Sequence, residues 1–280
     1  MRVALIQVDT GRPESAEARV DRVVTMIRGC QDADLVCLPE LWRVGYFNFD
    51  GYHDGAEDLD GPTVHALAAV ARETGTMINT GSFIEARSDN KLRNTSVLLS
   101  PEGIKLSAYS KIHTFGYQST ETSLVEHGAE LTVAAVKDGM LTTAVCYDLR
   151  FPGLWRAMVA LGATAAVVPS AWPAARLSHW QVLSTARAIE GQMFVLACNG
   201  AGGTGGERLA GHSRVVDPSG VVLAEAGFDE EVVTCEIDLA GVAGIRAAFP
   251  VLQDDYGDYS VFTSVERSET AFSATHRSSM

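Results

Sequence analysis

Cysteine is scarce in this 280-residue chain, and its five copies do not suggest pairing: positions 30, 37, 146, 198 and 235 are odd in number, far apart and free of any Cys-x-x-Cys motif. That pattern excludes a disulfide framework. The 7 histidines show no recurrent ligand spacing, so no metal is expected. Positive charge is also short. Lys and Arg total 22 against 35 Asp and Glu, and the formal net charge of -13 repels phosphate polymers and anionic membrane surfaces. Long apolar runs are missing: the opening Met1-Arg2-Val3-Ala4-Leu5-Ile6-Gln7-Val8 is too short for a signal peptide, and no stretch approaches the roughly 20 residues of a membrane span. A cytoplasmic protein with neither nucleic acid nor membrane as a partner is expected.

Repeats, low-complexity tracts and an internal linker are lacking too. What is present is ordinary globular material, 46% apolar and 20% charged, enough for one large core. One domain over residues 1–268 is expected. Residues 269–280 are polar enough to form a mobile tail or a subunit-contacting arm.

Along the chain, strands and helices alternate. Residues 2–8 read as a buried strand, and Val20, Val23, Val24 and Ile27 mark one face of a helix stopped by Gly29. Asp34-Leu35-Val36-Cys37-Leu38 is a second strand, which runs into Pro39-Glu40 and leaves a carboxylate at its C-terminal end, where α/β folds place chemistry. Residues 41–60, rich in aromatics, suit an ordered loop serving as a lid or rim, or a satellite packing cluster. Gly61-Pro62 opens a helix with Val64, Leu67, Ala68 and Ala71 on its apolar face, and Gly75 closes it. Met77 to Phe83 reads as one strand. A hairpin over 94–110, turned by Pro101-Glu102-Gly103, delivers Lys111 at its end, with Glu121 in the irregular loop beyond.

Further on, Leu154, Met158 and Leu161 are expected to share a helical face, as are Val182, Ala186 and Ile189. Ala165 to Val168 and Met193 to Cys198 are strands. Val215-Val216, Val221 to Leu223 and Val232 to Ile237 look like the antiparallel half of a mixed sheet. The glycine cluster at 200–206 is followed by a strand rather than the helix a phosphate loop needs, so it reads as a flexible surface loop.

The most informative stretch is Leu141 to Arg156. A β-prone apolar run ends in Cys146, and Pro152 presets a helix start, so the thiol sits where strand hands over to helix. A thiol with the ordinary pKa of about 8.5 needs a base to become a nucleophile at neutral pH. Leu38-Pro39-Glu40, Tyr109-Ser110-Lys111-Ile112-His113 and Val145-Cys146-Tyr147-Asp148-Leu149-Arg150-Phe151-Pro152 each place a reactive residue at a strand end.

Together these blocks resemble the nitrilase (carbon-nitrogen hydrolase) superfamily from Arg2 to about Tyr256. The resemblance implies a single-domain α/β fold, a four-layer αββα sandwich, dimerisation through helices, and a cofactor-free hydrolase of linear amides. It assigns Glu40, Lys111 and Cys146 as the catalytic triad and Glu121 as a supporting glutamate, seven residues before Gly128. Here His127 replaces the usual proline. The Tyr147 N–H would join Lys111 in stabilising the oxyanion.

Cys-Tyr-Asp-Leu-Arg-Phe-Pro, Ser170-Ala171-Trp172-Pro173-Ala174-Ala175-Arg176, His179-Trp180 and Thr185-Ala186-Arg187-Ala188-Ile189-Glu190 resemble the ω-amidase branch, whose members cleave the terminal amides of 2-oxoglutaramate and 2-oxosuccinamate. Such substrates carry a carboxylate far from the amide. Arg150 is the first candidate to bind it and Arg176 the second, with Trp172 as a pocket wall and Arg187 in an internal ion pair. Gly153 stands where relatives often carry glutamate. The alternatives are an N-carbamoyl or deaminated-glutathione-type amide hydrolase, or a non-catalytic scaffold of the same fold.

Overall fold

The structure is a computed structural model that describes residues 1–255 except 89, 90, 118 and 205. The tail expected over 269–280 and the end of the domain expected to reach 268 lie outside the described residues.

The first half of the chain forms β1 (Arg2–Gln7), α1 (Ala16–Arg28), β2 (Leu35–Cys37), α2 (Pro62–Thr74), β3 (Met77–Asn79), β4 (Phe83–Ala86), β5 (Leu92–Leu99) and β6 (Lys105–Ser110). The second half continues with α3 (Glu121–Leu124), β7 (Val133–Val136), β8 (Gly139–Thr143), α4 (Pro152–Ala160), β9 (Ala165–Ser170), α5 (Leu177–Gly191) and β10 (Phe194–Asn199). It closes with the short pair β11 (Gly203–Thr204) and β12 (Glu207–Arg208), then β13 (Arg214–Val216), β14 (Val222–Glu225), β15 (Glu231–Glu236) and α6 (Val242–Ala248).

Both halves repeat one device. β1, β2 and β3 run parallel, joined through α1 and α2, and β8, β9 and β10 run parallel, joined through α4 and α5. Parallel neighbours need such helical crossovers, which cover the sheet. Antiparallel strands extend each parallel centre: β15 beyond β1 and β5 beyond β3, and likewise β13 with β14 beyond β10 and β7 beyond β8. Among the described residues the two sheets order as β15-β1-β2-β3-β5-β4, with β6 on β5, and as β14-β13-β10-β9-β8-β7.

Period-two alternation builds the layers. Val3, Leu5, Leu35 and Cys37 face Leu141, Val167, Leu196 and Cys198 across the gap between the sheets. Ala4, Ile6, Val36 and Leu38 point the other way, onto Val23, Ile27, Val64 and Leu67 of α1 and α2. On the far side Val168, Val195 and Ala197 pack against Trp155, Met158 and Trp180 of α4 and α5. The result is the expected αββα sandwich, in which each fully buried aliphatic side chain stabilises the fold by about 1.5–3 kcal/mol relative to exposure.

Four local expectations need correction. The α5 face marked by Val182 and Ile189 points to solvent, the two being 66% and 50% exposed, and Trp180, Ser184, Arg187 and Ala188 are buried instead. Polar residues can take that face because Ser184 Oγ donates to the Trp180 carbonyl and Arg187 Nε to the Leu149 carbonyl. Leu161 is likewise exposed beyond the end of α4. The single strand expected over 77–83 is broken at 80–82 into β3 and β4, which lie along the same edge of β5. Last, the C-terminal strands divide between the sheets, β13 and β14 joining one and β15 the other. The glycine cluster contributes the β11–β12 pair, where Gly11 packs on Gly203 so closely that a Cβ at Gly11 would lie 2.7 Å from the Gly203 carbonyl oxygen.

Candidate active site

Glu40 follows β2 and is clasped from both sheets. Gly81, in the break between β3 and β4, has a φ of +68, and a Cβ there would lie 2.0 Å from the Pro39 carbonyl oxygen, so only glycine fits. Ser82 N donates to that carbonyl (3.2 Å), and Leu41 N donates to Ser82 Oγ (3.2 Å). From the second sheet, the Ser170 carbonyl accepts from Glu40 N (3.3 Å) and Ala171 N donates to Glu40 Oε2 (3.0 Å).

Lys111 follows β6. Its N–H donates to the Asn94 carbonyl (2.8 Å), and its own carbonyl accepts from Gly128 N (2.7 Å). A Cβ at Gly128 would sit 2.1 Å from the Ser110 carbonyl oxygen, so this glycine permits the close approach. Lys111 Nζ donates to Glu40 Oε1 (2.8 Å) and to Glu121 Oε1 and Oε2 (2.8 and 3.0 Å). All three side chains are fully buried. Glu121 opens the four-residue α3 rather than lying in an irregular loop, and it also accepts from Phe115 N (2.7 Å) and Tyr46 OH (3.1 Å).

Cys146 begins a 3-10 turn, Cys146–Arg150, placed between β8 and α4. Its φ is +47, a left-handed conformation that costs a non-glycine residue roughly 1–2 kcal/mol. Asp148 holds the turn in place. One of its carboxylate oxygens accepts from Val145 N (2.9 Å) and Tyr109 OH (2.7 Å); the other accepts from His113 N (2.9 Å) and lies 2.8 Å from His113 Nδ1. The strained cysteine is thereby tied to the same strand end that supplies Lys111.

The electrostatics follow from burial. Burial pushes the Glu40 carboxyl above its ordinary pKa, Lys111 opposing and Glu121 adding to the rise. Burial pushes the Cys146 thiol well up, and the neighbouring Glu40 carboxylate adds to this. For Lys111 burial acts downward, but the two carboxylates outweigh it and hold the ammonium form. The resting site therefore carries a neutral thiol, a basic carboxylate and a fixed cation.

Cys146 opens onto a cavity of about 390 Å³. Tyr147, Arg150, Trp172 and Arg176 line it, as do Tyr46, Phe47 and Phe49 from the 41–60 loop, which is a rim of this pocket. Glu40, Lys111 and Glu121 lie behind the cysteine instead. The Arg150 guanidinium is 4.6 Å from the Trp172 ring centre, with its nitrogens 3.3 and 3.4 Å from His179 Nδ1. Arg176 lies over Phe115 and Tyr117, at 5.9 and 5.8 Å. Neither arginine has a carboxylate within 4.0 Å among the described residues, whereas Arg187 pairs with Glu190 at 2.6 Å. Trp172 is fixed by its N–H to Asn199 Oδ1 (2.7 Å) and its Nε1 to the Arg176 carbonyl (2.8 Å). At Gly153 a Cβ would meet no heavy atom within 4 Å, so the missing glutamate leaves no gap there.

Sequence reasoning overlooked Asn94, Tyr46 and the role of Asp148. Asn94 did carry a signal: it is an amide in a strand that pairs on both edges, and a buried amide must find partners.

Two sheets of this order, with a buried carboxylate–lysine–thiol cluster at their strand ends, define a carbon–nitrogen hydrolase. The carbon-nitrogen hydrolase family model matches residues 2–247, and the chain belongs to that family, within the nitrilase superfamily. It is 38% identical to a 2-oxoglutaramate amidase of Paenarthrobacter nicotinovorans, over 91% of this chain and 90% of that one. A 2-oxoglutaramate amidase of Bacillus subtilis is 37% identical over 79% of this chain and 85% of its own. The crystal structure of Saccharomyces cerevisiae Nit3, a member of branch 10 of the superfamily, superposes with a TM-score of 0.80 at 30% identity, covering 90% and 94% of the two chains. Amide hydrolysis is the activity this membership supports. Among the described residues no helix is long and apolar enough to cross a membrane.

Proposed function

We propose that this chain is a thiol-dependent ω-amidase that releases ammonia from a short dicarboxylic keto-acid amide, of the 2-oxoglutaramate or 2-oxosuccinamate type, through a Cys146 thioester. The observation that carries this reading is the position of Cys146, facing a pocket with two arginines on one side and Glu40 on the other.

Glu40 takes the thiol proton as sulfur attacks the amide carbon, because the buried thiol stays neutral until a base is offered. The carbon–sulfur bond forms and the carbonyl electron pair moves to oxygen. Lys111 and the Tyr147 N–H stabilise that oxyanion, a contribution of about 3 kcal/mol for one such donor. As the carbon–nitrogen bond breaks, Glu40 returns its proton to nitrogen and ammonia departs. Glu40 next deprotonates water, which attacks the thioester, and the thiol regains its proton as the carbon–sulfur bond breaks.

Arg150, stacked on Trp172, receives the distal carboxylate, with Arg176 as the second cation of the pocket. Burial lowers the Arg150 pKa, so the guanidinium is partly desolvated and gains from a carboxylate partner. Ammonia release from 2-oxoglutaramate tests the reading directly. Turnover should exceed that of butyramide, which lacks the carboxylate; good turnover of butyramide with none of 2-oxoglutaramate would overturn the substrate assignment.

A further inference from the structure

The buried cluster behind Cys146 contains one cation and two carboxylates, a charge excess that a buried site resolves by binding a proton unless something else intervenes. Asn94 intervenes. Its Nδ2 donates to Glu40 Oε1 (2.8 Å) and to Glu121 Oε1 (3.3 Å), and the residue is 1% exposed on β5, a strand paired on both edges. The opposite amide orientation would set its oxygen against two carboxylate oxygens, so the network fixes this one. The arrangement has a cost. Asn94 Oδ1 is buried without a hydrogen-bond partner among the described residues, and an apolar side chain of similar size would avoid that penalty.

We propose that Asn94 is a positioning residue that spends both amide hydrogens on Glu40 and Glu121, supports the carboxylate form of Glu40 beside the single Lys111, and so leaves Glu40 free to accept the Cys146 proton. Its two amide hydrogens are taken up by the two carboxylates, so it acts on the substrate only through Glu40. Among the described residues the charged or titratable groups facing the two carboxylates are Lys111 after β6, Tyr46 and Tyr52 from the rim loop and Cys146 after β8. None of these except Lys111 is a fixed cation, so the neutral donor pair on Asn94 supplies what the lysine alone does not. The role rests on Glu40 acting as the base, as proposed above.

The sign is determined. Removing donors from Glu40, or adding negative charge beside it, favours its protonated form. The acidic limb of activity then moves to higher pH.

Two variants of the full chain separate donation from space filling. Asn94→Asp keeps the shape and removes both donors, while Asn94→Ser loses volume and keeps one donor. Donation predicts that Asp is the worse variant, with kcat down by about 10- to 100-fold, the scale of one lost charge-assisted hydrogen bond, and KM little changed. The rate of Cys146 alkylation by iodoacetamide should show the same shift of its pH profile, and this readout needs no substrate. If wild type fails to release ammonia but the alkylation profile shifts in Asn94→Asp, the substrate reading fails and the Asn94 role stands. If Asn94→Asp reacts as wild type at every pH, or if Ser is the worse variant with an unshifted profile, Asn94 only fills space and the proposal is overturned.

Discussion

The two sides of Cys146 are built differently. Behind it, Glu40, Lys111 and Asn94 on strands or at their ends and Glu121 at the start of α3 are buried and joined by charge-assisted hydrogen bonds. In front, Arg150, Arg176 and the aromatics of the 41–60 rim sit on loops and turns, the two arginines half-buried, and several meet through ring contacts. The difference teaches where each task is placed. Proton transfer needs geometry fixed to a fraction of an ångström, which paired strands provide. Recognition of one amide over another needs contacts that can vary without disturbing the first set.

That division can be broken from either side. The largest effect belongs to Cys146→Ala, with an expected fall in turnover of roughly 10⁴-fold or more and a folded protein by calorimetry. Cys146→Gly should be equally inactive yet melt no lower than the alanine variant, because glycine adopts the left-handed backbone without strain. Next comes Lys111→Met, which leaves Glu40 and Glu121 without their cation. Urea unfolding at neutral pH should show a loss of about 3–5 kcal/mol, the scale for stranding a buried charge. The loss should shrink as pH falls. Glu40 then titrates above its unfolded value, and its destabilisation, full at neutral pH, is relieved once it binds a proton.

Arg150→Lys is smaller and confined to the front. A point charge does not reproduce the planar fork, so KM for 2-oxoglutaramate should rise about tenfold while butyramide is unaffected. Equal losses on both amides would make Arg150 part of the rigid side and erase the contrast. Arg176→Lys, the second candidate for the carboxylate, should give the smallest change of the same kind.

Much of this was legible in the sequence. Alternating strands and helices announced the layers, and Glu40, Lys111 and Cys146 each stood at the end of a strand-like run, with the resemblance to the nitrilase superfamily giving them their roles. The face of α5 was misread for a physical reason. Arg187 and Ser184 satisfy themselves on backbone carbonyls and can be buried, which leaves Val182 and Ile189 outside and defeats a reading by hydrophobic period. Asn94 and the role of Asp148 were missed because Glu40 and Tyr109, among their partners, lie 54 and 39 residues away, and a residue's type does not name so distant a partner. The split of the last strands between two sheets is likewise a matter of pairing partners, which strand propensity does not encode.

Gly81 gives the site a point of fragility that no functional group reveals. Its α-hydrogens rest against the carbonyl that precedes Glu40, and one added methyl would have to move that loop. In a screen of random substitutions, Gly81 would register as a loss-of-function position resembling Cys146 in effect. Inherited variation that silences this chain need not alter a reactive atom; one methyl added at an α-carbon is enough.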